Sequence, residues 1–118
     1  MTTTTATICK KIDIHNHIVF DVDDGIKSFD EAVLALIEAK KNKITDIVCT
    51  SHFTYKETKY NENFYKLKEV ADKLKINLYM GNEIILNKAS VLEVKTKRAK
   101  SLNNSRYILV ELKRSNEL

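Results

Sequence analysis

The chain has 118 residues, 43% of them apolar and 31% charged, with a formal net charge of +4 and a pI near 9.0. That length and the recurring Ile, Leu and Val predict one small globular domain and exclude a disordered tract. No run approaches the roughly 18 consecutive apolar residues of a membrane span, so membrane insertion is not expected. The lysines that set the charge alternate with acids, as in Lys66, Lys68, Glu69, Asp72, Lys73 and Lys75; this reads as a solvated helix face and not as a nucleic-acid platform.

Residues 1–10 are Thr-rich and lack the apolar core of a secretory leader, so they are read as an N-terminal tail. A first strand is predicted over 8–14. Ser28 and Glu31 form an expected capping box. The helix behind it runs to about Asn42, with Phe29, Ala32, Val33, Leu36 and Ile37 as its buried stripe. A second strand follows over 44–50 and a polar loop over 51–60. Asn61 is expected to open a second helix, with Phe64, Leu67, Val70, Ala71 and Leu74 on one side. A third strand lies within 76–85, a weaker helix over 89–97 and a fourth strand over 107–112. This β-α-β-α-β-α-β order predicts an α/β fold with parallel strands covered on both faces by helices.

Cys9 and Cys49 each fall in a β-like run, and free buried thiols in a reducing, cytoplasmic setting are the expectation. Neither is followed six residues later by arginine; those positions hold His15 and Tyr55. The phosphate-cradling loop of cysteine-dependent phosphatases is therefore absent.

Each predicted strand ends in a group able to bind a metal. The first ends in Asp13-Ile14-His15-Asn16-His17, the second in Thr50-Ser51-His52, the third in Gly81-Asn82-Glu83 and the fourth in Val110-Glu111. The carboxyl ends of parallel strands are where ligands gather in α/β folds. The steps from His15 to His52, Glu83 and Glu111 are 37, 31 and 28 residues, about one βα unit each. Residues i and i+2 of a strand share a face, so His15 and His17 can approach one cation together. Taken singly, each residue has a plainer reading. A lone histidine is usually structural, and Asp23-Asp24-Gly25 alone is usually a turn in which Gly25 supplies φ > 0. Gly81 lets the backbone bend, and Glu83 alone reads as a surface residue. Glu111 lies inside an apolar strand, where a buried carboxylate is costly unless paired or metal-bound. Together they make a nitrogen and oxygen donor set without sulfur. It suits Mn, Fe or Zn, and its many carboxylates favour Mn or Fe and more than one ion.

The segments Asp13–His17, Phe20–Gly25, Ile47–His52, Gly81–Glu83 and Leu102–Glu111, in this order, resemble the Mn-dependent tyrosine phosphatases encoded with bacterial capsular and exopolysaccharide synthesis genes. These belong to the polymerase-and-histidinol-phosphatase (PHP) family. The resemblance covers about residues 11–112. It implies the N-terminal half, four βα-type strands, of a distorted (β/α)7 barrel, followed by a divergent end at 113–118. It also implies a site of up to three metals. His15, His17 and Glu83 would serve the first, Glu83 and Glu111 the second with Glu83 bridging, and Asp24 and His52 the third. His15, His17 and Glu83 would act catalytically through a metal-activated hydroxide on phosphotyrosine protein, a cognate tyrosine kinase of polysaccharide export. The family's later His-x-Glu-Arg-Tyr and Asp-x-His motifs are not in this sequence. A truncated chain that self-associates or takes a complementary C-terminal half is therefore expected. Two alternatives stay open: another PHP phosphoesterase, of histidinol phosphatase or exonuclease type, or a non-catalytic metal-binding remnant.

Overall fold

The computed structural model describes residues 10–112 apart from Tyr55; residues 1–9 and 113–118, with most of the Thr-rich tail, Cys9 and the end expected to diverge, lie outside the described residues. The elements are β1 (Ile12–Asp13), α1 (Phe29–Lys41), β2 (Asp46–Cys49), α2 (Glu57–Lys73), β3 (Asn77–Met80), β4 (Glu83–Ile85), α3 (Lys88–Lys95) and β5 (Leu109–Glu111), with a 3₁₀ turn at Leu102–Asn104. β1 pairs with β2, β2 with β3, and β4 with β5, all in parallel. The fold is α/β with parallel sheets.

The third strand expected within 76–85 is two strands, β3 and β4, because the ladder breaks at Gly81 and Asn82. The cause is a side chain from α2. The Tyr60 hydroxyl lies 2.9 Å from the carbonyls of both Cys49 and Gly81, and it accepts the Gly81 N–H at 3.2 Å. The Asn82 amide donates to the Ser51 carbonyl at 3.1 Å. Side chains thus satisfy the backbone groups that the ladder leaves over. Pairing resumes at Glu83, whose N–H donates to Ser51 and whose carbonyl accepts the Phe53 N–H, both at 2.9 Å. The parallel bridge between His52 and Glu83 joins the three-stranded sheet to the two-stranded one.

α1 starts where Ser28 caps it. The Ser28 hydroxyl accepts the Glu31 N–H at 3.2 Å and donates to the Glu31 carboxylate at 3.0 Å, so Glu31 reaches the capping side chain and not the capping backbone expected of the box. Ala32 and Leu36 are fully buried, whereas Phe29 and Ile37 lie at the rim of the stripe. α2 opens at Glu57, four residues before Asn61. Tyr60 is an inward anchor one turn ahead of Phe64, Leu67 and Ala71, and that packing outweighs the polar sequence of the first turn. Lys43, Lys75 and Lys97 close the three helices in the left-handed conformation, at positions where glycine is usual. Both glycines serve elsewhere.

Strand burial is uneven. β2 is buried throughout, sandwiched between neighbours. β1 and β5 are outer strands, and Ile12, Val110 and Leu112 are exposed. The expectation of cover on both faces holds at the centre of the sheet only.

At the amino end of β2, Asp46 is buried and its carboxylate accepts from the Thr45 hydroxyl (2.6 Å), the Asn77 amide (3.0 Å) and the Tyr79 hydroxyl (3.2 Å). The Thr45 bond leads in holding this carboxyl below the usual aspartate range; burial opposes it, and Asn77 and Tyr79 reinforce it. A lowered folded pKa gives stability that is complete above the unfolded value of about 3.9 and is lost as pH falls through the folded value. Asp46→Asn is expected to cost about 1–2 kcal/mol at neutral pH. In melts over a pH series, the gap between wild type and variant should narrow below about pH 4. A gap that does not change with pH would remove the charge on Asp46 from the account.

Candidate metal centre

His15 and His17 lie just beyond β1 and not within a strand, yet they still face the same way. Asn16 between them is the reason. Its N–H donates to the Thr50 hydroxyl (2.9 Å), its amide to the Val48 carbonyl (2.9 Å), and its carbonyl accepts the Thr50 N–H (3.1 Å). With residue 16 stitched to the end of β2, its two neighbours project to the other side. Their rings lie 5.8 Å apart.

Both rings reach Glu83. His15 Nε2 is 3.1 Å from Glu83 Oε2, and His17 Nε2 is 3.0 Å from Glu83 Oε1. Glu83 is 6% exposed. The burial that sequence reasoning assigned to Glu111 therefore falls on Glu83. Glu111 is half exposed, because β5 has a strand neighbour on one side only among the described residues.

His52 follows β2, its ring 4.6 Å from that of His17. Its Nε2 is 3.4 Å from Asp24 Oδ1, and its Nδ1 is 3.4 Å from Glu83 Oε1 and 4.0 Å from Glu111 Oε2. Nδ1 is buried and makes no hydrogen bond among the described residues. A buried ring nitrogen facing two carboxylates without a hydrogen bond is what a shared cation would resolve. The ligand atoms fall into three groups, each within 4.8 Å: His15, His17 and Glu83; His17, Asp24 and His52; and His52, Glu83 and Glu111. All six residues singled out in the sequence take part, and they meet at one mouth.

Asp23 was passed over in favour of Asp24. Its side chain is buried and makes three contacts: Oδ2 lies 2.8 Å from His17 Nδ1 and accepts the His52 N–H at 2.9 Å, and Oδ1 accepts the Gly25 N–H at 2.9 Å. Nothing in the linear pattern marks the inner member of an Asp-Asp pair; only the fold of the loop decides it. Burial works to raise the Asp23 pKa, but the bonds from His17, Gly25 and His52 outweigh it and hold the carboxyl below its usual range. For His17, burial works to lower the pKa. The bond to Asp23 and the charges of Asp23, Glu83 and Asp24 overcome it, so the ring is held above the usual histidine value.

Gly25 does not supply a positive φ, nor does Gly81. A Cβ at Gly25 would stand 2.5 Å from His17 Cβ and 2.7 Å from the His17 carbonyl oxygen, so the glycine gives the loop room to fold onto His17. At Gly81 a Cβ would press on Val48 and Leu102 at 3.1 and 3.2 Å.

The family model described as capsular polysaccharide synthesis, CpsB/CapC, matches residues 11–118. A CapC protein of Staphylococcus aureus is 40% identical over 116 residues, spanning 91% of this chain and 44% of the relative. The tyrosine-protein phosphatase CpsB of Streptococcus pneumoniae is 40% identical over 107 residues, spanning 85% of this chain and 44% of the relative. In three dimensions the chain is similar to a solved structure from work on YwqE of Bacillus subtilis and CpsB of Streptococcus pneumoniae, described as metal-dependent tyrosine phosphatases. The TM-score is 0.78 at 26% identity, over 86% of this chain and 44% of that one. The chain thus spans a little under half the length of the relatives it matches.

Gly25→Ala forces a displacement at His17. It is expected to cost about 1–3 kcal/mol by overpacking and to shift the His17 ring resonances. A melt unchanged from wild type together with unmoved His17 signals would show that the loop has slack at this point.

Proposed function

The chain belongs to the CpsB/CapC capsular polysaccharide synthesis family, and on that premise we propose that it carries the cation-binding half of a metal-dependent protein-tyrosine phosphatase. The observation that carries this reading is the buried Glu83 carboxylate within 3.4 Å of three imidazoles, with Glu111 and Asp24 at the same mouth. The chain supplies six ligand residues. His15, His17 and Glu83 hold one ion, Glu83 and Glu111 a second, and Asp24 and His52 a third. Nitrogen and oxygen donors without sulfur suit manganese, with iron or zinc as the other candidates. Such ions, when bound, neutralise a phosphoryl group and lower the pKa of water.

The remaining roles belong to the protein's own residues. Glu83 faces two groups at once and so fixes the spacing between them. His15, Asp24 and Glu111 are the exposed members, and in this reading they border the opening through which a phosphate ester enters. His52 lies deeper, between Asp24, Glu83 and Glu111. Cys49 offers no competing route: it is fully buried, and burial drives its thiol pKa up, away from a reactive thiolate. We read the parallel β-α succession as the first half of a distorted (β/α)7 PHP barrel. The substrate in this reading is a phosphotyrosine protein, a cognate tyrosine kinase that governs polysaccharide export, and the setting is the cytoplasm. No helix among the described residues is long and apolar enough to cross a membrane. The exposed outer strands support self-association or docking of a complementary C-terminal half.

The test is hydrolysis of a phosphotyrosine peptide by the chain with added Mn²⁺, beside Glu83→Ala. Stoichiometric metal by elemental analysis, reduced in Glu83→Ala, is expected, and turnover above that control would assign the catalysis to this chain itself. Bound metal without turnover would assign a binding role only, and a chain that takes up no metal would overturn the reading. Faster hydrolysis of histidinol phosphate or of single-stranded DNA would move the chain to another PHP activity.

A further inference from the structure

We propose that Asp23 is a positioning residue that locks the His17 imidazole with its proton on Nδ1, leaving Nε2 as its one donor atom and committing His17 to the ion shared with His15 and Glu83. The inference rests on the metal reading above and adds to it a residue outside the ligand set.

His17 lies in two of the three candidate groups, one with His15 and Glu83 and one with Asp24 and His52. A ring nitrogen has a single lone pair and cannot serve two ions. The two nitrogens also point to different partners, Nδ1 to Asp23 Oδ2 at 2.8 Å and Nε2 to Glu83 Oε1 at 3.0 Å. Asp23 can only accept in this setting. Its Oδ2 already receives the His52 N–H and its Oδ1 the Gly25 N–H, each at 2.9 Å, and the side chain is buried. The proton between Asp23 and His17 therefore sits on the ring. The free lone pair is on Nε2, beside Glu83 and on the His15 side. A carboxylate behind a metal-binding histidine fixes both tautomer and ring orientation in this way. One carboxylate also ties the backbone of His52 to the ring of His17, so the loop sets two imidazoles in a common frame.

Asparagine at this position cannot reproduce the arrangement. In one amide orientation its NH₂ opposes both His17 Nδ1–H and the His52 N–H; in the other it opposes the Gly25 N–H. Asp23→Asn, which loses at least one of these bonds in either orientation, is expected to loosen the hold on the Nδ1–H tautomer and to weaken Mn²⁺ binding by about 10–100-fold, the range for lost support behind a metal ligand.

Two measurements test this. Long-range ¹H–¹⁵N spectra of the metal-free wild-type chain, in alkaline buffer where the ring is neutral, should show His17 protonated at Nδ1. Calorimetric titration with Mn²⁺ should show the stated loss in Asp23→Asn. A His17 ring protonated at Nε2 in the wild type would overturn the proposal, and so would a folded Asp23→Asn that keeps the Nδ1 proton and the wild-type affinity. The wild-type spectrum decides the matter even if Asp23→Asn fails to fold. A wild-type chain with the Nδ1 proton that takes up no Mn²⁺ would instead overturn the metal reading.

Discussion

Glu83 places a carboxylate, 6% exposed, where three imidazoles reach it within 3.4 Å. Taking such a charge out of water costs several kcal/mol unless an opposing charge meets it. Neutral histidines offer only dipoles, and protonated ones would crowd like charges together, with ring centroids 4.6 and 5.8 Å apart. Asp23, Asp24 and Glu111 add three more carboxylates around the same histidines. The mouth is acidic although the whole chain carries a net charge of +4. Selection for cations is thus local, set by a cluster at the strand ends and opposite in sign to the surface lysines.

The rest of the architecture serves to hold that carboxylate in place. Glu83 opens β4 because the Tyr60 hydroxyl and the Asn82 amide occupy the break after β3. The chain re-enters the ladder one step later, and the first residue to pair there is the one that faces the histidines. Asn16 performs the matching task at the end of β1, where its bonds to Val48 and Thr50 turn the neighbouring rings outward. In both places an amide side chain inside the sheet fixes the direction of a functional side chain next to it.

Much of this was legible from residue order. The 3–4 spacing of α1 and α2, the parallel alternation and the convergence of groups one βα unit apart all follow from periodicity. What escaped depended on contacts between distant segments. The sequence has no signal that Tyr60, 21 residues from Gly81, would break a strand there. The early start of α2 follows from the same anchor. Burial was exchanged between Glu83 and Glu111, because apolar neighbours along a strand do not reveal that the strand lies at an edge. Gly25 departs for a related reason. Local rules assign it a positive φ, whereas here it makes space for His17; Gly81 does fall where the strand breaks, and it also makes space for Val48.

Glu111 lies on β5, whose outer backbone edge is unpaired among the described residues. A carboxylate of the cluster is therefore carried by the strand that remains open to pairing. Any polypeptide that adds to that edge steadies Glu111 at the mouth, and any ion that Glu111 helps to hold steadies the edge in return. By thermodynamic reciprocity each event raises the affinity for the other by the same factor. If Glu111 is a ligand as proposed, assembly of the sheet and loading of the ion are two readouts of one coupled equilibrium.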